Sequence, residues 1–80
     1  MEATFTLSIL VNNSFGVLTR ISGLFSKRGF NIESLTANPV EGTQQAHILL
    51  TSYGDEVTKE QIVKQLEKLH DVESVELVLN

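Results

Sequence analysis

The first residues that could carry a chemistry of their own lie in the polar stretch 12–16, between an alternating apolar segment and an amphipathic one. If a helix begins here, its free backbone N–H groups and its positive dipole end form a site for a carboxylate. Gly16 lets a ligand approach the backbone because it has no Cβ, and the Asn13 amide can both donate and accept hydrogen bonds. An amino acid zwitterion fits such a site. The alternative is that Asn12 and Ser14 only cap the helix, as these residue types commonly do.

Catalysis and metal binding find little support in the sequence. A nucleophile needs a positioned base, and the candidates are His47, mid-strand on the face opposite Ile48, and His70, at the end of a predicted second helix. We expect structural or surface roles for both. The chain has no cysteine, and its scattered carboxylates lack the spacing of metal ligands. We therefore expect no enzyme activity and no metal or cofactor in this chain.

Length and charge narrow the class of protein. Eighty residues form one domain, 1–80, with a thin core, so an additional interface would help its stability. Six basic and ten acidic side chains give a net charge of −4, which argues against a nucleic-acid partner. Neither a charged-then-apolar leader nor a membrane-length apolar run is found. These features favour a cytoplasmic protein with no membrane partner.

Hydrophobic periodicity predicts six elements. A half-buried strand ends near Asn12, a helix runs from Val17 to a terminating Gly29, and residues 30–37 are extended with an imperfect alternation that suggests a bulge. Residues 39–42 predict a turn, residues 45–53 a strand and residues 72–79 a last strand. Thr58 and Gln61 suggest a capping box for the second helix. The helix faces expected to be buried comprise Val17, Leu18, Ile21, Leu24, Phe25, Ile62, Leu66 and Leu69.

The order βαββαβ predicts an α+β, ferredoxin-like fold, with two helices on one face of a four-stranded antiparallel sheet. Three functional classes with this topology are disfavoured. RNA-recognition domains need aromatic residues on the central strands, where this chain has Phe5 and Tyr53 without a basic surround. Copper chaperones of this fold carry a Cys-x-x-Cys loop, and acylphosphatase-like enzymes need an arginine in the first loop, which is absent.

The segment 12–36 carries several motifs in order and without gaps, and it reads NNSFGVLTRISGLFSKRGFNIESLT. It resembles the opening of the acetolactate synthase regulatory (small) subunits, whose N-terminal part is an ACT domain. The matching positions are Asn13, Gly16, Leu18, Phe25, Ser26, Arg28, Gly29 and residues 30–36, together with residues 65–72 of the second helix region.

The resemblance implies a regulatory role. Small subunits of this family bind valine, and sometimes leucine or isoleucine, and transmit feedback inhibition to a thiamine-diphosphate-dependent large subunit. Thiamine diphosphate, Mg and FAD are then expected only on that catalytic partner. ACT domains of this family form a homodimer through the second strand, and the effector lies between the glycine loop of one protomer and the second strand of its mate. The ligand-binding residues implied are Asn13, Ser14, Phe15, Gly16, Val17, Leu18, Asn31, Ile32 and Thr36.

The extent of the protein and its function both remain open. Small subunits of the family continue for about as long again past the ACT domain, so the chain is either a short protein or one domain of a longer one. A free-standing ACT amino-acid sensor or interaction module, unconnected with acetolactate synthase, is the alternative function. The sequence of residues 31–36 favours the small subunit, because other ACT domains share the glycine loop but seldom this strand.

Overall fold

The computed structural model describes residues 3–12 and 14–78, and within the second range the side chains from Gly16 onward. Its elements are β1 (Ala3–Asn12), α1 (Ser14–Lys27), β2 (Ile32–Pro39), β3 (Gln45–Gly54), α2 (Glu56–Glu67) and β4 (Val72–Val78). The strands form one antiparallel sheet in the order β2-β3-β1-β4. With both helices on one face of that sheet, the predicted α+β ferredoxin-like fold is confirmed.

A single core lies between the sheet and the helices. Every second residue of β1 and β3 faces it, as the period of a half-buried strand requires, and the helices contribute one stripe each. Among the helix residues predicted to be buried, Leu18, Leu24 and Leu69 are only partly buried at the rim of the core. The fully buried members are Leu7, Ile9, Val11, Val17, Ile21, Phe25, Ile48, Leu50, Ile62 and Leu66.

The start of α2 differs from the prediction. Its N-cap is Asp55, whose carboxylate accepts a hydrogen bond from the backbone N–H of Thr58 at 2.8 Å. The capping box that starts at Thr58 is therefore wrong: β3 continues to Gly54, so Asp55 is the first residue free to cap. The position predicted for His70 is also wrong, since α2 ends at Glu67 and His70 lies in the following turn.

Both ends of α1 lie close to the neighbouring strands. The helix begins at Ser14, so Gly16 belongs to its first turn. The polar residues before Gly16, taken alone, would suggest that it lies in a loop. At the other end, Gly29 has φ 78°, and the N–H of Phe30 donates to the Phe25 carbonyl at 2.9 Å while that of Gly29 donates to Ser26 at 3.1 Å. This pair of bonds is a Schellman motif, which confirms Gly29 as the end of the helix.

The remaining connections agree with the sequence. The predicted turn after β2 is confirmed, with Gly42 at φ 79° and the N–H of Thr43 donating to the Val40 carbonyl at 3.1 Å. The bulge expected in the second strand is confirmed as a register shift between Ile32 and Ser34. A second shift, between Leu10 and Val11 in the pairing of β1 with β4, has no sequence signal that predicts it.

Candidate functional site

The N-terminus of α1 is the first part of the candidate site. Gly16 lies exposed in the first turn, and a Cβ built on it would meet no atom within 4 Å. That turn holds no acidic residue, so no side chain of its own opposes the positive end of the helix dipole. Asn13 and the side chains of Ser14 and Phe15 fall outside the described residues. The open space and the uncompensated dipole are the features that a carboxylate ligand needs.

The neighbouring Asn12 has a different task. It is the last residue of β1, its N–H donates to the Asp71 carbonyl at 2.7 Å, and its side-chain amide donates to the Glu73 carboxylate. Arg20 reaches the same corner, with 3.9 Å between its Nη1 and the Asp71 Oδ2. Asn12 thus ties β1 to the start of β4, and Ser14 is the first helical residue. The interpretation that Asn12 caps the helix is therefore not supported, whereas the same prediction for Ser14 falls on a side chain outside the described ones.

Val17 and Leu18 support the helix from behind. Val17 is fully buried in the core, so it can position the first turn but cannot contact a ligand. Leu18 is half-buried and packs at the edge of the core. Of these two predicted site residues, only Leu18 offers a ligand any surface.

Asn31 and Ile32 form a second region at the opposite end of α1. The Asn31 side chain is exposed, while Ile32 is half-buried as the first residue of β2. The Asn31 carbonyl accepts a hydrogen bond from the Ser52 hydroxyl at 2.8 Å. Two depressions meet at Asn31. One, of about 310 Å³, lies between α1 and β2, and the other, of about 320 Å³, reaches Glu33 and Tyr53.

The two regions are far apart within one protomer. Helix α1 has 14 residues, which at about 1.5 Å per residue separates its ends by about 20 Å. The pairing of Asn12 with Gln45, and of Pro39 with Ala46, places the end of β2 at the same end of the sheet as the N-terminus of α1. A free amino acid is too short to contact Gly16 and Asn31 of one chain together.

Thr36 lies on the other face of the sheet. It pairs with Leu49, which is 42% exposed, whereas the neighbouring Ile48 and Leu50 point into the core. The Thr36 side chain therefore points away from both helices, and the geometry does not bring it together with Gly16 or Asn31.

Ser52 is a residue near the candidate site that sequence reasoning missed. Its hydroxyl donates to the Asn31 carbonyl. The signal for it was a serine in an alternating row of inward residues, Ala46, Ile48, Leu50 and Ser52.

The two histidines singled out in the sequence both lie at the surface. His47 is exposed on the open face, as predicted, and His70 is exposed in its turn. The hydrogen bonds from the Thr58 backbone N–H and hydroxyl hold the pKa of Asp55 below its ordinary value. Across residues 3–12 and 14–78, the structure contains no cluster of three or more metal-ligating side chains. In the same part of the chain, no helix is long and apolar enough to cross a membrane.

Comparison with known proteins identifies a family to which the chain belongs. The pattern of the AHAS small subunit-like ACT domain matches residues 7–74. The chain is 52% identical over 66 residues to the acetolactate synthase small subunit of Buchnera aphidicola, and 50% identical over 66 residues to the isozyme 3 small subunit of Escherichia coli. These alignments cover 82% of the chain in both cases, and 42% and 40% of the respective relatives.

A solved structure agrees with the sequence comparison. The acetolactate synthase small subunit of Thermotoga maritima superposes with a TM-score of 0.82 at 37% sequence identity. The superposition covers 94% of this chain and 47% of that one. The chain thus spans less than half the length of these relatives.

Proposed function

Because the chain belongs to the AHAS small subunit-like ACT domain family, we propose that it is the regulatory ACT domain of an acetolactate synthase small subunit. It binds valine, or another branched-chain amino acid, at a homodimer interface and thereby controls the synthesis of these amino acids by feedback. The domain itself is not catalytic.

The observation that carries this proposal is the separation of Gly16 from Asn31 by the length of α1. Strand β2 is an edge of the sheet, and its unpaired N–H and C=O groups can pair with a second copy. In a two-fold antiparallel pairing, the start of one β2 lies beside the end of the other. Asn31 and Ile32 of one protomer then approach the first turn of α1 of its partner. The two regions that cannot share a ligand within one chain become one site in the dimer.

The groups at such a site match an α-amino acid. The α1 N-terminus offers N–H groups and dipole to the carboxylate. Asn13 and Asn31 supply amide groups for the amino and carboxylate ends. The exposed parts of Leu18 and Ile32 offer an apolar surface to a branched side chain, whose burial would contribute about 1.5–3 kcal/mol. Glu33 and Tyr53, which line the depression on the far side of Asn31, are left outside this arrangement.

The second partner in this proposal is the large catalytic subunit of acetolactate synthase. Thiamine diphosphate, Mg and FAD belong to that subunit and not to this chain. The domain acts in the cytoplasm, on an enzyme of amino acid biosynthesis. Neither a nucleic acid nor a membrane takes part.

The test is calorimetric titration of the purified protein with each of the common amino acids. We expect binding of valine, leucine or isoleucine and of none of the acidic or basic amino acids. Gly16→Asp should abolish binding, because the new carboxylate takes the ligand's space and repels its charge. Gly23→Asp is the matched control: Gly23 is also an exposed glycine of α1 with no atom within 4 Å of a built Cβ, and that variant should bind normally.

Asn13→Ala tests the amide contact. A hydrogen bond to a charged group contributes about 1.5–3 kcal/mol, so affinity should fall at least about tenfold. Valine binding that survives both Gly16→Asp and Asn13→Ala unchanged would exclude the site. Light scattering that shows a strict monomer at high micromolar concentration, with and without valine, would exclude the composite site.

A further arm separates the small-subunit function from a free-standing sensor. The protein is mixed with the acetolactate synthase large subunit of the same organism, and activity is followed with and without valine. Valine-dependent inhibition supports the small-subunit function. Valine binding with no physical association between the two proteins would instead support the free-standing sensor.

A further inference from the structure

Ser52 is the buried polar side chain among the described residues, with no exposed area. It lies on the inward face of β3, where it pairs with Phe5 on one side and Ile32 on the other. A buried hydroxyl costs free energy unless it is hydrogen-bonded, and an apolar residue would continue the row formed by Ala46, Ile48 and Leu50. Core packing alone therefore does not explain why this residue is a serine.

The reason is its hydrogen bond to the backbone just before β2. The Ser52 hydroxyl donates to the Asn31 carbonyl at 2.8 Å. The register of β2 against β3 shifts between Ile32 and Ser34, so the regular ladder is interrupted beside this point. On the other side, the Phe30 N–H is held by the Phe25 carbonyl at 2.9 Å. The peptide between Asn31 and Ile32 is thus fixed from the core.

Fixing this peptide decides where the Asn31 side chain can reach. Asn31 borders two depressions, one against α1 and one against Glu33 and Tyr53. Its side chain is exposed, and no hydrogen bond to it is found within the described part of the chain. The orientation of its backbone then becomes the main constraint on the amide, and the Ser52 hydroxyl is the side-chain group that holds that backbone.

We propose that Ser52 is a positioning residue for the amino-acid site, acting through the Asn31 carbonyl to direct the Asn31 amide at the ligand. The inference rests on the proposed function. Ser52 itself does not touch the ligand, because it is enclosed in the core of its own protomer.

The experiment measures valine affinity by calorimetry for Ser52→Ala and for the nearly isosteric Ser52→Cys, whose thiol is a weak donor. Loss of one positioning hydrogen bond should weaken affinity about three- to tenfold in both. Ile62→Val is the control, because Ile62 is equally buried in the core but lies in α2, away from β2. That variant should lose stability and keep the wild-type affinity.

A second readout does not depend on the ligand. In amide NMR spectra of the free protein, the side-chain NH₂ signals of Asn31 should shift or broaden in Ser52→Ala and Ser52→Cys and stay unchanged in Ile62→Val. If the wild type binds valine and both Ser52 variants bind it equally well, the positioning role is excluded while the proposed function stands. If the wild type binds no branched-chain amino acid, both proposals are excluded together.

Discussion

The two helices occupy equivalent places in the fold, yet their outer faces are built differently. Inward, each presents a narrow apolar stripe to the same core, which includes Phe25 in α1 and Leu66 in α2. Outward, α2 is densely charged, and its Lys59 pairs with Glu56 at 2.8 Å. The outer face of α1 is made largely of small residues, which are Gly16, Thr19, Ser22, Gly23 and Ser26.

The ends of the helices differ in the same sense. Helix α2 supplies its own negative charge, with Asp55 as N-cap and Glu56 in the first turn. The first turn of α1 has none. A charged face with a neutralised dipole is typical of a helix exposed to water, whereas α1 keeps a glycine in its interior, Gly23, which lowers helix stability by about 1 kcal/mol relative to alanine. At Gly16, the first turn of α1 leaves the open space and the positive potential that the proposed site requires.

The largest expected effect tests the inward similarity of the helices. Phe25→Ala should lower the free energy of unfolding by about 3–5 kcal/mol and Leu66→Ala by about 2–5 kcal/mol, since both side chains are buried and each truncation leaves a cavity. Urea denaturation followed by circular dichroism measures both. A loss below about 1 kcal/mol for either would mean that the face of that helix does not pack as described.

The next effect tests the capped end of α2. Because hydrogen bonds from Thr58 lower the pKa of folded Asp55, the ionised cap stabilises the fold above the unfolded pKa. That contribution is lost as pH falls through the lower folded pKa, below about pH 4. Asp55→Ala should be less stable than wild type at pH 7, and the difference should shrink in acid.

Asp55→Asn is the matched control for this acid dependence. It keeps a capping side chain but cannot ionise, so its stability relative to wild type should improve as pH falls. Denaturant midpoints at pH 7 and pH 3 measure both variants. A constant difference between wild type and Asp55→Ala across this range would contradict the role of the ionised cap.

Most features of the fold were predictable from the sequence, and the cap of α2 was not. The strands, both helix stripes, the bulge in β2 and the glycine that ends α1 were predictable, because periodicity and turn chemistry act over a few residues. The α2 cap was not, since Asp55 and Thr58 are both capping types three residues apart and the choice depends on where β3 stops. The end of a strand is set by its partner strands and not by its own residues.

The candidate site was predictable only in part, for a related reason. Gly16 could be named from its position at the start of a helix, and Asn31 from the resemblance of residues 12–36 to the family. Their separation along α1, the outward direction of Thr36 and the bond from Ser52 to Asn31 depend on pairing between residues distant in sequence. Such pairing has no local signature.

A smaller effect concerns the cost of the small-residue face. Gly23→Ala should raise the free energy of unfolding by about 0.5–1 kcal/mol, because Gly23 lies in the helix interior and an added Cβ meets nothing. Lys64→Ala at an exposed position of α2 should change it by less than about 0.5 kcal/mol. Equal gains from both substitutions, measured by denaturation, would remove the difference between the two outer faces.

The smallest expected effect on stability comes from a substitution that should raise the free energy of unfolding and yet abolish ligand binding. Gly16→Asp places a carboxylate in the first turn of α1, where it should raise the free energy of unfolding by about 0.3–1 kcal/mol while abolishing valine binding. Gly23→Asp, beyond the reach of the dipole, should bring no such gain. A Gly16→Asp protein that is destabilised would show that the bare N-terminus serves the fold and not a ligand.

The two regions of the candidate site, at Gly16 and at Asn31, lie at opposite ends of α1, and this has a consequence for the proposed sensor in the cell. If only the dimer can bind the ligand, the concentrations of free amino acid and of protomer together determine how much dimer is present. A ligand at about 100 times its Kd would then favour the paired state by about 2.7 kcal/mol per occupied site. Dilution of the protein would weaken apparent affinity, and abundant expression would strengthen it. The set point of such a sensor depends on gene dosage as well as on the metabolite.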